Sequence, residues 1–89
     1  PSIKPLNIHN GKNIRFQNKF DFKISDNLAG IKSYNCYIDE KWVLMEYDFK
    51  KSRLTHYKHN VISKGKHELK LFVTDAVGNE KVYRCSFYN

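Results

Sequence analysis

The chain has 89 residues, with 16 Lys and Arg against 9 Asp and Glu, a net charge of +7, 40% hydrophobic residues and 15% aromatics. That length suits one small domain, residues 1–89, with a modest core and no room for a second. No apolar run approaches membrane-spanning length, so no membrane span is expected. The charge is spread evenly: residues 1–45 hold seven basic and four acidic side chains, and residues 46–89 hold nine and five. Such a balance suits anionic surfaces in general and selects none, and a solvated basic surface is the simpler account.

Pro1-Ser2-Ile3-Lys4-Pro5 reads as a linker from something upstream. No charged-then-apolar leader precedes it, which says little of a piece cut from a longer protein. Ile3, Leu6 and Ile8 form a weak apolar pattern broken by Pro1 and Pro5, so this stretch is an edge strand at most, because proline cannot donate to a ladder. Asn10-Gly11 is a two-residue turn signal, and Ile14 and Phe16 continue the edge. Phe20, Phe22 and Ile24 alternate with Lys19, Asp21, Lys23 and Ser25, a strand with one wet face. It ends in Asp26-Asn27-Leu28-Ala29-Gly30.

Ile31 to Ile38 follows, with Tyr34, Cys36 and Ile38 on one face and Ser33, Asn35 and Tyr37 on the other. Asp39-Glu40-Lys41 turns into a mixed strand from Trp42 to Asp48. After the basic pair Lys50-Lys51, Arg53 to Lys58 is a short strand. Val61 and Ile62 are expected to plug the end of the core. Lys66 to Tyr88 is a long hairpin, the clearest feature of the chain. Leu69, Leu71 and Val73 alternate with Glu68, Lys70, Phe72 and Thr74, and Tyr83, Cys85 and Phe87 alternate with Val82, Arg84 and Ser86. Between them, Asp75 can accept from backbone N–H groups two residues on, and Gly78 supplies the positive φ that closes the turn before Asn79. Helical periodicity is absent. About seven or eight short strands with regular turns predict an all-β antiparallel sandwich or barrel.

The two Asp-to-Gly turns, Asp26 to Gly30 and Asp75 to Asn79, resemble paired loop motifs of bacterial immunoglobulin-like domains. The stretch from Ser25 to Tyr34, taken with Trp42 to Asp48, is similar to the C-terminal Ig-like domain that follows a lysostaphin-type zinc peptidase domain in Bacteroidetes envelope proteins. The resemblance covers roughly residues 1–88. It implies an Ig-like antiparallel β-sandwich of about seven strands. It also implies a non-catalytic accessory module, periplasmic or on the cell surface. Its partners would be an upstream catalytic domain of the same chain and peptidoglycan or another anionic envelope component.

The peptidase needs a His-x-His pair, and His9, His56, His59 and His67 contain none. No catalytic residue and no cofactor is therefore expected here. His56 and His59 in a strand point to opposite faces.

In an Ig-like sandwich the turns of Asp26 and Asp75 lie at one end, which raises calcium, a cation that takes hard oxygen ligands. Two carboxylates are few for six or more ligands, and each Asp capping its own turn is the simpler reading. Cys36 and Cys85 both face inward. The Ig-like strand order puts a strand between them, about 9–10 Å apart, beyond the roughly 4.4–6.8 Å of a disulfide. They are read as buried thiols.

Tyr37, Lys70, Phe72, Arg84 and Tyr88 form an outward set. It is read first as a docking surface for the upstream domain, then as cross-strand pairs, then as a ligand platform. Lys50, Lys51, Arg53, Lys58, Lys64 and Lys66 are read as a solvated rim. Nucleic acid is not the expected partner, since no RNA-recognition or cold-shock aromatic motif is present. A small basic barrel that binds single strands is the alternative.

Overall fold

The computed structural model describes residues 1–26, 29–58 and 62–89. The expected roles of Asn27, His59 and Val61 lie outside the described residues. Nine strands and no helix occur among those described: β1 (Ser2–Pro5), β2 (Lys12–Asn13), β3 (Lys19–Ser25), β4 (Ile31–Ile38), β5 (Lys41–Val43), β6 (Glu46–Asp48), β7 (Arg53–Tyr57), β8 (Lys66–Asp75) and β9 (Glu80–Tyr88). They form two sheets, ordered β1-β3-β7-β6 and β2-β9-β8-β4-β5. All pairs are antiparallel except β2 with β9. The fold is all-β, with one core between the two sheets.

Alternation along each strand decides which side is dry. Phe20, Phe22, Ile24 and Leu54 from the first sheet meet Cys36, Leu69, Leu71, Val73 and Phe87 from the second, and all nine are fully buried. Rings interlock across the gap: Phe20 lies 5.3 Å from Phe87, Phe22 lies 5.8 Å from Tyr83, and Tyr34 lies 5.5 Å from Tyr47, centroid to centroid. Burying one such side chain contributes about 1.5–3 kcal/mol. Ile8 and Ile14, either side of the Asn10-Gly11 turn, close one end of the core.

Two expectations change. The count is nine rather than about seven or eight, chiefly because the single strand expected over Trp42 to Asp48 is two strands in different sheets. Val43, Met45 and Tyr47 all turn inward while Trp42, Leu44, Glu46 and Asp48 stay exposed. The period-2 pattern therefore runs unbroken through Leu44-Met45, where the chain crosses from one sheet to the other. Both sheets share one interior, so an inward residue stays inward through the crossing. The other change concerns the linker expected over residues 1–5: Ser2–Pro5 is an edge strand, as its prolines allowed, and pairs with β3 from Ser2↔Ser25 to Pro5↔Phe22.

Candidate functional site

The outer face of the five-stranded sheet is built by register. Trp42 stands opposite Tyr37, Tyr37 opposite Lys70, and Lys70 opposite Arg84, a row of two aromatics and two cations across β5, β4, β8 and β9. The next row is Asn35, Phe72 and Val82. Tyr37 and Phe72 meet edge to face at 5.8 Å, the arrangement ring quadrupoles prefer. Trp42 is 56% exposed, and its indole N–H donates to Asn35 Oδ1 at 3.1 Å, which fixes the ring. Asn35, Tyr37, Glu40, Lys70, Phe72 and Glu80 line a shallow groove of about 440 Å³.

Four of the five outward residues singled out from sequence, Tyr37, Lys70, Phe72 and Arg84, thus share this patch. Tyr88 does not. It pairs with Lys66, four residues along β9 from Arg84 and about 13 Å away at strand rise. Asn35 lies on the face that alternation gave it beside Tyr37, and Trp42 joins the face unforeseen. The signal was the two-residue turn Asp39-Glu40: pairing Ile38 with Lys41 puts Trp42 opposite Tyr37. Both turn residues have positive φ, +52° and +65°, as a type I′ hairpin requires.

At one end of the molecule the turns of Asp26 and Asp75 come together, where Ala76 N–H donates to the Gly30 carbonyl at 3.2 Å. Gly30 and Gly78 take φ +76° and +94° there. Each carboxylate is engaged by its own turn. Asp26 Oδ2 accepts from Ala29 N–H at 2.7 Å; that bond, against some desolvation, holds the acid below its ordinary pKa. Asp75 Oδ1 accepts from Val77 N–H at 3.0 Å and Asn79 N–H at 2.8 Å, and Oδ2 accepts from the Asn79 side chain at 3.0 Å. Burial pushes Asp75 up, but the Asn79 and Val77 bonds outweigh it and the pKa is lowered. Among the described residues no group of three or more His, Cys, Asp or Glu could hold a metal.

Two of the histidines are tied into structure. His56 Nδ1 lies 2.7 Å from the Leu44 carbonyl, and its ring stacks on Phe20. His67 is buried at 7% exposure, with Nδ1 2.5 Å from Asp39 Oδ2 and Nε2 2.6 Å from the Ser63 carbonyl. Both neighbours can only accept, so the ring satisfies both only when both nitrogens carry protons. Asp39 raises the imidazole pKa, burial opposes it, and the Ser63 carbonyl adds to the rise. Sequence reading missed this clamp; its signal was that His67 continues the inward alternation of Leu69 and Leu71.

Cys36 and Cys85 are buried free thiols with β8 between them, since Cys36 pairs with Leu71 and Cys85 with Leu69. Burial, with a smaller contribution from Cys85, pushes Cys36 up to about 12. Burial likewise raises Cys85. Both stay protonated and poorly nucleophilic at neutral pH.

On the outer face of the other sheet, Lys4, Lys23 and Arg53 stand directly opposite one another across β1, β3 and β7. Lys50 and Lys51 lie in the turn before β7, where their N–H groups donate to Asp48 Oδ1. Compared with protein families, curated proteins and solved structures, the chain gives no significant match.

Proposed function

We propose that this chain is a non-catalytic immunoglobulin-like module that holds an exported cell-wall peptidase at its substrate, with the outer face of the five-stranded sheet as its contact surface. Support for the Ig-like part comes from strand order. β1-β3-β7-β6 follows the A-B-E-D order of Ig sandwiches, and β4, β8 and β9 follow C, F and G, with β5 added beside C. The chain departs from antibody domains in having no inter-sheet disulfide and in exposing its single Trp. The peptidase context rests on the sequence resemblance alone.

One observation carries the contact surface: Trp42, Tyr37 and Phe72 stand beside Lys70 and Arg84 on a rigid sheet. Elsewhere, His56, His67, Asp26, Asp75 and both thiols are occupied in holding the fold. Aromatics and cations on a stiff support are suited to gripping a partner, while groups already satisfied are poorly placed for chemistry.

Co-sedimentation of the 89-residue chain with purified insoluble peptidoglycan tests the reading. Retention that Trp42→Ala weakens and Lys23→Glu leaves intact is expected. Chain that stays in the supernatant counts against it.

A second reading, a single-strand nucleic-acid binder, draws on the +7 charge and the aromatics beside cations. Sub-micromolar filter binding that weakens steeply with salt would favour it.

A further inference from the structure

The outer groove of the five-stranded sheet is where the charge excess of this chain disappears. The whole chain carries +7. Glu40, Glu80 and Lys70 all line the groove, with Glu40 Oε1 3.5 Å from Lys70 Nζ, and Arg84, beside the groove and opposite Lys70, evens the count. The surplus lies elsewhere, as in the Lys4, Lys23 and Arg53 row on the other sheet. A polyanion gains little from a groove with balanced charges.

A neutral ligand rich in hydroxyls can use every group present. Asn35, Lys70 and Arg84 donate, Glu40, Glu80 and the Asn35 carbonyl accept, and an –OH does both. The rings supply the rest. Trp42 is more than half exposed, and Asn35 holds it in place before any ligand arrives. Tyr37 and Phe72 are locked edge to face, so their apolar surface is also presented in fixed orientation. The C–H faces of a pyranose are apolar and slightly positive, and the face of an aromatic ring is slightly negative. Pre-ordered rings lose little rotamer freedom on binding. The volume, about 440 Å³, falls in the range of small-ligand sites.

We infer that this groove, with Trp42 beside it next to Tyr37 and Asn35, binds a neutral oligosaccharide, one sugar stacked on the aromatic row and its hydroxyls held by Asn35, Lys70 and Glu80. The inference rests on the accessory-module reading and sharpens it, naming the glycan strand of the wall rather than its peptides or acidic polymers as the thing gripped.

Trp42 is the only tryptophan and its indole is bonded to Asn35 of the groove lining, so its emission reports on the groove through that contact. The intact chain is titrated with N-acetylglucosamine tetramer and, separately, with cellotetraose. A saturable change in emission with at least one sugar, little altered between low and high salt, is expected. Asn35→Ala should weaken it several-fold. Calorimetry on Trp42→Ala should show at least tenfold weaker binding, with the melting temperature moved by no more than about 4 °C.

No change in emission with either sugar at millimolar concentration overturns the inference, and so does binding that collapses with salt. Retention on peptidoglycan without binding of either sugar removes the glycan and leaves the accessory module. Failure of both assays removes both. Sugar binding without retention on the wall keeps the groove and discards the peptidase context.

Discussion

Asp39 Oδ2 and His67 Nδ1 lie 2.5 Å apart, so the left-handed turn between β4 and β5 is fastened to the middle of the sheet by a buried imidazole. Asp39 also accepts from Glu68 N–H at 2.9 Å, and the far nitrogen of His67 holds the Ser63 carbonyl. The ring thus joins the β4–β5 turn to the segment before β8.

This clamp gives the stability a definite dependence on pH. The pKa of His67 is raised above 6.5, so its contribution is complete below that value and lost as pH climbs through the raised folded pKa. Burial pushes Asp39 up, but the bonds from His67 and Glu68 outweigh it and hold the acid below 3.8. Its contribution is complete above that value and lost as pH falls through the lowered pKa. Melting temperature should therefore be highest in mildly acidic buffer and decline toward alkaline pH. Because Asp39 is partly exposed, about 1 kcal/mol is the scale. For a domain this size that is about 4–8 °C. Asp39→Asn should melt lower and show a flatter alkaline limb. A wild-type profile that rises from pH 6 to 9 contradicts the assignment.

Core and face should respond differently to the same truncation. Phe22→Ala removes a fully buried ring packed on Tyr83 and should cost about 3–5 kcal/mol, a large share of what so small a domain has. Trp42→Ala removes a larger side chain from an exposed position and should move the melting temperature by no more than about 4 °C. Thermal unfolding followed by circular dichroism separates them. Equal losses would mean the indole is a core group.

Glu40 holds a φ of +65°, which an L side chain other than Asn or Asp tolerates poorly. Glu40→Gly gives the hairpin the residue its geometry favours and should stabilise the fold by about 1 kcal/mol. The exposed pair with Lys70 that it sacrifices contributes less. Chemical denaturation of the two proteins, read from the midpoint at constant slope, gives the sign directly.

Cys36 and Cys85 should ignore a thiol reagent such as an aromatic disulfide in native buffer and react in full once the chain is unfolded. Two equivalents released rapidly from folded protein would contradict their burial.

Lys23 stands between Lys4 and Arg53, a like-charge contact on both sides. Lys23→Glu converts two repulsions into attractions and should raise stability by about 0.5 kcal/mol at low salt, a gain that fades as salt is added. A loss at low salt would show that the row is not solvated as the register implies.

Much of this architecture was legible in the residues themselves. β8 and β9 each have one wet face and one dry face. β3 follows the same period on its dry side, although Asp21 on its other side is buried and accepts from the Thr55 hydroxyl. A period of two can mean little else when Phe20, Phe22, Ile24, Leu69, Leu71 and Val73 keep it so strictly. The sheet change at Leu44-Met45 was hidden because it leaves that period untouched. The clamp was hidden because a histidine at an inward position declares no partner, and Asp39 lies 28 residues away in sequence. The outer patch was half legible. Alternation picks out Asn35, Tyr37, Phe72, Lys70 and Arg84, but only register separates them from Tyr88 and adds Trp42.

The four outermost strands have a consequence for how anything can attach here. β1 has four residues and ends in Pro5, β2 has two, β5 has three beginning with Lys41, and β6 has three with an acid at each end. Borders this short and this charged offer a foreign backbone almost no ladder to extend. Neighbours are thereby steered away from zipping onto the rim, the route that leads to fibrils, and toward the broad flat sides, where side-chain chemistry does the selecting.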